Sequence, residues 1–113
     1  MEKILVINND KDTMTLLKTW LERKKYQVKY TESKEEVPHL VKDFNPRVVL
    51  VDVLHGAVAE ELKSDQQTRD IPVLLMTGYT KSREGTSIAA DDVIEKPFDL
   101  NLLEKKIENL ITK

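Results

Sequence analysis

The sequence predicts an α/β fold, a doubly wound parallel sheet of five strands with helices on both faces. Short runs that are apolar at every position, Ile4-Leu5-Val6-Ile7, Val48-Val49-Leu50-Val51 and Val73-Leu74-Leu75-Met76, are what parallel strands covered on both faces require. Between them lie stretches with apolar residues at helical spacing, and strand alternating with helix implies parallel pairing through right-handed crossovers. The polar residue that closes each run is then delivered to the C-terminal edge of the sheet, where ligands and chemistry sit in such folds.

The elements follow in order. Ile4 to Ile7 is the first strand, ended by the turn-forming Asn8-Asn9-Asp10, and a helix is expected from about Asp12 to Lys25 with Met14, Leu17 and Leu21 on one face. Tyr26 to Thr31 alternates apolar and polar side chains, as a strand nearer the sheet edge does. Ser33-Lys34-Glu35-Glu36 has the form of a capping box and predicts a helix running to about Asp43. Pro38 is compatible with that helix only in its first turn, because an interior proline costs roughly 3 kcal/mol. Asn45-Pro46 breaks the chain before the strand that ends at Asp52, and Ala57 to Lys63 makes a short helix before Asp70-Ile71-Pro72 leads into the fourth strand. Thr77-Gly78-Tyr79 ends that strand. Lys81 to Ala90 is expected to be helical but weakened by Gly85. The fifth strand, about Asp92 to Ile94, passes through Lys96-Pro97 into a last helix with Leu100, Leu103, Ile107 and Leu110 inward and Asp99 as its N-cap.

Composition excludes several classes of function. A chain of 113 residues is expected to form one domain, 1–113. Its 18 Lys and Arg nearly balance 20 Asp and Glu, and a net charge of −2 is no footprint of nucleic-acid binding. There is no Cys, hence no disulfide framework and no thiolate metal site. No signal-peptide core and no membrane-length apolar run is present, so a cytoplasmic location without membrane contact is expected. Three glycines build neither a P-loop nor a dinucleotide fingerprint. His55-Gly56 follows Asp52 at the wrong spacing for a cobalamin motif, His39 is a solvated helix residue, and no Ser, His and Asp set has a nucleophile-elbow context.

What remains is a constellation at three strand ends: a carboxylate at Asp52, a hydroxyl at Thr77 and an ammonium at Lys96. With Ile4 to Asp10, Val48 to Asp52, Ile71 to Gly78 and Ala90 to Phe98 in their places, essentially the whole chain resembles the receiver domain of two-component response regulators. That resemblance implies a flavodoxin-like (βα)5 fold with strand order 2-1-3-4-5. It also implies a phosphorelay role. Asp52 would accept the phosphoryl group of a histidine kinase or phosphotransfer protein, Thr77 would hydrogen-bond a phosphoryl oxygen, and Lys96 would pair with Asp52 or its phosphoryl group. A cis Lys96-Pro97 bond would aim Lys96 into the site. Phosphoryl transfer needs little else from the protein than a positioned nucleophile and charge stabilisation. Such a domain is no dedicated enzyme; at most it catalyses its own phosphorylation and dephosphorylation.

The departures from the family cluster at the metal and the switch. The two acidic residues that bind Mg²⁺ in receivers are here Asn8 and Asn9, and amides supply oxygen without charge. The ligand set implied is Asn9, Asp10, Asp52 and the Leu54 carbonyl, with Mg²⁺ weakened and Asp52 paired to Lys96 in its absence. The loop after Asp52, Leu54-His55-Gly56-Ala57-Val58-Ala59, differs from the family pattern, and the third and fourth crossovers are shortened. The switch pair would be Thr77 and Val93, the latter standing where receivers carry Tyr or Phe. Two readings follow. One is a phosphoryl-accepting receiver that signals to a downstream protein through its last strand and last two helices, as a monomer or weak homodimer. The other is a phosphorylation-independent binding module, and no effector domain is expected within this sequence.

Overall fold

The computed structural model describes residues 2–8, 10–77, 90–96 and 99–112. Five strands, β1 (Lys3–Ile7), β2 (Gln27–Thr31), β3 (Val48–Asp52), β4 (Val73–Thr77) and β5 (Asp92–Glu95), form one sheet in the order β2-β1-β3-β4-β5. All four pairings are parallel. The helices among the described residues are α1 (Lys11–Arg23), α2 (Val37–Phe44), α3 (Gly56–Ser64) and α4 (Leu100–Ile111). The helix expected between Lys81 and Ala90 falls almost entirely outside the described residues, as do Gly78 and the Lys96-Pro97 bond.

The two faces of the sheet carry separate cores, and side-chain alternation assigns each strand residue to one of them. Ile4, Val6, Val48, Leu50, Leu74, Met76 and Ile94 meet Met14, Leu17 and Leu21 of α1 and Leu103, Ile107 and Leu110 of α4. On the other face Leu5, Ile7, Val49, Val51, Val73 and Leu75 meet Val37 and Val41 of α2 and Val58, Ala59 and Leu62 of α3. Strands β3 and β4 are buried along their whole length, which is why their sequences read as unbroken apolar runs.

Local chemistry sets the helix boundaries. Asp10 caps α1 and Asp99 caps α4, the latter accepting from the Asn101 and Leu102 amides at 2.9 and 3.3 Å. Pro38 lies in the first turn of α2, where its missing N–H leaves no bond unmade. Asn45 ends that helix in the left-handed region at φ 55, its amide on the Val41 carbonyl.

The capping box expected at Ser33 does not form. Residues Lys34–Glu36 make a 3₁₀ turn ahead of α2, and Glu36 accepts instead from the Thr31 hydroxyl at 2.6 Å. The Ser33 amide donates to the same Thr31 oxygen at 3.0 Å. Thr31, at the end of edge strand β2, thus captures both partners of the box and is itself buried, while Tyr30 beside it is half exposed. Simple alternation could not rank these two residues, because an edge strand is covered only where a loop folds over it.

Candidate functional site

The register of the sheet brings the strand ends together. Ile7 pairs with Val51, so the next residues, Asn8 and Asp52, stand side by side. Asp52 pairs with Met76, Met76 with Ile94 and Thr77 with Glu95, which places Thr77 one step and Lys96 two steps beyond the level of Asp52. The Lys96 amide donates to the Thr77 carbonyl at 2.7 Å, extending the ladder to that point.

Asp52 is 5% exposed, and each of its oxygens has a partner. Oδ1 accepts from the Leu54 amide at 2.9 Å, capping a 3₁₀ turn at Val53–His55, and Oδ2 accepts from Lys96 Nζ at 2.7 Å. The ammonium is reachable from solvent, its side chain being 25% exposed against 7% for Asp52. A buried carboxylate is retained only when paired and hydrogen-bonded, and this one is both. Thr77 is buried with its Oγ1 unpartnered among the described residues. A buried hydroxyl without a partner is an exception that calls for an explanation, and a ligand oxygen supplies one.

The neighbouring positions behave differently from what their spacing implies. Asn8 is buried, and its Oδ1 accepts from the Asp10 amide at 2.9 Å. This is an Asx turn, and it leaves Nδ2 buried and without a partner among the described residues. Asp10 is an exposed N-cap with both oxygens engaged, by the Asp12 amide at 3.1 Å and the Thr13 hydroxyl at 2.6 Å. Asn9 lies outside the described residues. Leu54 is 85% exposed. Val93 is half-buried against the α2 and α3 core and carries no polar group for a switch.

The donor set decides what the pocket can hold. A divalent ion needs several oxygen ligands. Among the described residues no group of three or more His, Asp or Glu side chains could hold a metal ion. The carboxylate at the strand ends already carries an ammonium and an amide, and the Asn8 oxygen faces a backbone N–H. Among the described residues this donor set is a poor match to Mg²⁺. An ammonium on the carboxylate, with a buried amide nitrogen and a buried hydroxyl at the adjoining strand ends, suits an anionic group instead. Among the described residues, a concavity of about 170 Å³ between α2 and α3 is lined by Val37, Val58 and Leu62 together with Lys34, Glu61, Asp65 and Thr68. No helix among the described residues is long and apolar enough to cross a membrane.

The Thr13 hydroxyl, first among several hydrogen bonds, holds the Asp10 carboxyl below its ordinary value of 3.8. The folded chain therefore favours the ionised carboxyl, and the stabilisation is present at neutral pH and lost as pH falls through the folded-state value. Thr13→Val is expected to melt lower than the native chain at neutral pH. That gap should close as pH falls below 3.8, as thermal melts across the carboxylate range would show. A gap that does not change with pH would assign the effect to something other than this carboxyl.

Comparison with known proteins places this geometry in context. Residues 4–108 match the response regulator receiver domain family. The response regulator SaeR of Staphylococcus aureus is 28% identical over 122 aligned residues, covering 100% of this chain and 52% of SaeR, so the chain spans about half the length of that relative. The signal receiver domain of a signal transduction histidine kinase from Syntrophus aciditrophicus superposes with a TM-score of 0.90 at 26% identity, covering 99% of this chain and 91% of that one. The receiver domain of a sensor histidine kinase from Pseudomonas aeruginosa, with a magnesium ion in its active site cleft, superposes with a TM-score of 0.89 at 17% identity, covering 99% and 98%.

Proposed function

The chain belongs to the response regulator receiver domain family, and from that membership we propose that it accepts a phosphoryl group on Asp52 within a two-component phosphorelay. The donor is a histidine kinase or a phosphotransfer protein, and dependence on Mg²⁺ is weakened. The observation that carries the reading is Asp52 itself, a nearly buried carboxylate with Lys96 Nζ 2.7 Å away and the unpartnered Thr77 hydroxyl one step along the sheet edge.

In the reaction an oxygen of Asp52 forms a bond to phosphorus as the P–N bond to the donor histidine breaks. Each carboxylate oxygen accepts one hydrogen bond and keeps a lone pair for attack. The donor ring is protonated on its other nitrogen before transfer, so when the electron pair of the broken bond goes to the imidazole nitrogen the ring leaves as neutral imidazole. Lys96 offsets charge on the transferred group, and the Thr77 hydroxyl donates to one of its oxygens. The phosphoryl-bearing domain then engages a downstream protein in the cytoplasm, as a monomer or weak homodimer, with Thr77 and Val93 at the switch positions. Incubation with acetyl phosphate, read by intact mass, tests the reading. A gain of one phosphoryl group, removed by hydroxylamine as an acyl phosphate is, is expected. No gain under any metal condition would overturn it and leave a binding module.

A further inference from the structure

The unpartnered amide of Asn8 has a use that the loss of acidic residues does not suggest. Asn8 follows β1 directly, beside Asp52 in the register of the sheet. Alternation puts both side chains on the α1 and α4 face, the face of Ile4 and Val6 in β1 and of Val48 and Leu50 in β3. Its orientation is determined rather than free: the Asp10 amide at 2.9 Å requires an acceptor, so Oδ1 faces the backbone and the nitrogen end is turned away from it. Nδ2 is buried and has no partner among the described residues. Leaving such a donor unpaired is costly, and the carboxylate beside it already has both oxygens engaged.

We propose that Asn8 Nδ2 is a donor to the phosphoryl oxygens at Asp52, occupying the role that a divalent cation would otherwise fill, so that the pocket takes up a phosphoryl group without metal. This rests on the assignment of Asp52 as phosphoacceptor and concerns how that site handles charge. Lys96 Nζ and Asn8 Nδ2 offer donors from the face of Asp52, and the Thr77 hydroxyl adds a third one step along the sheet edge. The two strand-end donors that lack partners among the described residues are the ones the incoming group would satisfy. An aspartate at position 8 would instead present negative charge to those oxygens and require a cation between them. The amide thus changes the class of counter-group the site needs, from a metal ion to fixed protein dipoles.

Acetyl phosphate labelling with EDTA, and with added Mg²⁺, tests this in the native chain, Asn8→Ala and Asn8→Asp, each checked for folding by its thermal melt. The native chain is expected to label at the same rate in both conditions. Asn8→Ala should label roughly tenfold slower in EDTA, the effect of losing one hydrogen bond to a charged oxygen. Asn8→Asp keeps the acceptor for the Asp10 amide and should become dependent on Mg²⁺. A separate readout is the Asn8 side-chain amide resonance of the ¹⁵N-labelled native chain, which should shift downfield on phosphorylation in EDTA. Labelling of the native chain only with Mg²⁺, or an unmoved Asn8 resonance, would overturn the role of Asn8 while leaving Asp52 as phosphoacceptor. Failure to label at all would overturn both.

Discussion

Asp52→Asn is expected to abolish phosphoryl uptake completely while leaving a folded domain. The carboxamide retains an oxygen for the Leu54 amide, which preserves the 3₁₀ turn after β3. It loses the charged oxygen that faces Lys96 at 2.7 Å. Lys96 is a quarter exposed, so its ammonium can turn to water instead of remaining buried against an amide nitrogen. The structural loss should therefore be modest, about 1.5–3 kcal/mol for the hydrogen bond to a charged group. Intact mass after acetyl phosphate treatment checks the chemistry, and the thermal melt checks the fold. Labelling that persists in Asp52→Asn would move the acceptor to another side chain. A collapse of the melt would mean that the Asp52–Lys96 pair is a structural element before it is a chemical one.

Leu50→Ala is expected to cause the largest loss of stability among single truncations of the central strand. Leu50 is fully buried on β3, between β1 and β4, in the core shared with α1 and α4. Removing its side chain should cost about 2–5 kcal/mol, because a close-packed layer collapses only partly around the cavity. Total stability of domains is about 5–15 kcal/mol, so a fall in Tm of about 10 °C or more is anticipated. Leu102→Ala is the control: that side chain is 45% exposed on α4 and should change stability by less than about 0.5 kcal/mol. Equal losses in the two variants would contradict the layered core described above. Chemical denaturation with matched m-values would separate a true stability change from an altered unfolded state.

The legible and illegible parts of this protein differ in range of interaction. The apolar runs of β1, β3 and β4, the α1 face at Met14, Leu17 and Leu21, and the Asp99 cap were readable because each depends on a few neighbouring residues. The parallel order β2-β1-β3-β4-β5 followed from the family resemblance, and the structure has that order. The capping box at Ser33 was readable as a pattern but misleading, since Thr31 in the preceding strand competes for both the Ser33 amide and the Glu36 carboxylate. Asn8 was visible only as a missing acid. The Asx-turn tendency of an asparagine, whose oxygen takes the backbone amide two residues on, is the signal for which end of its side chain faces the backbone.

The sequence by itself determined which residues reach the C-terminal edge of the sheet. Periodicity and burial place Asp52, Thr77 and Lys96 at strand ends whatever the details of packing. Only the tertiary structure decided how those ends are wired. The pairing of Lys96 with Asp52 spans 44 residues of chain, Asp10 is committed to capping α1, and the Asn8 and Thr77 donors are left without partners among the described residues. The physical reason is that strand identity is encoded in local hydrophobic pattern. The sharing of hydrogen-bond donors and acceptors among strand ends is settled by register, which no single segment contains.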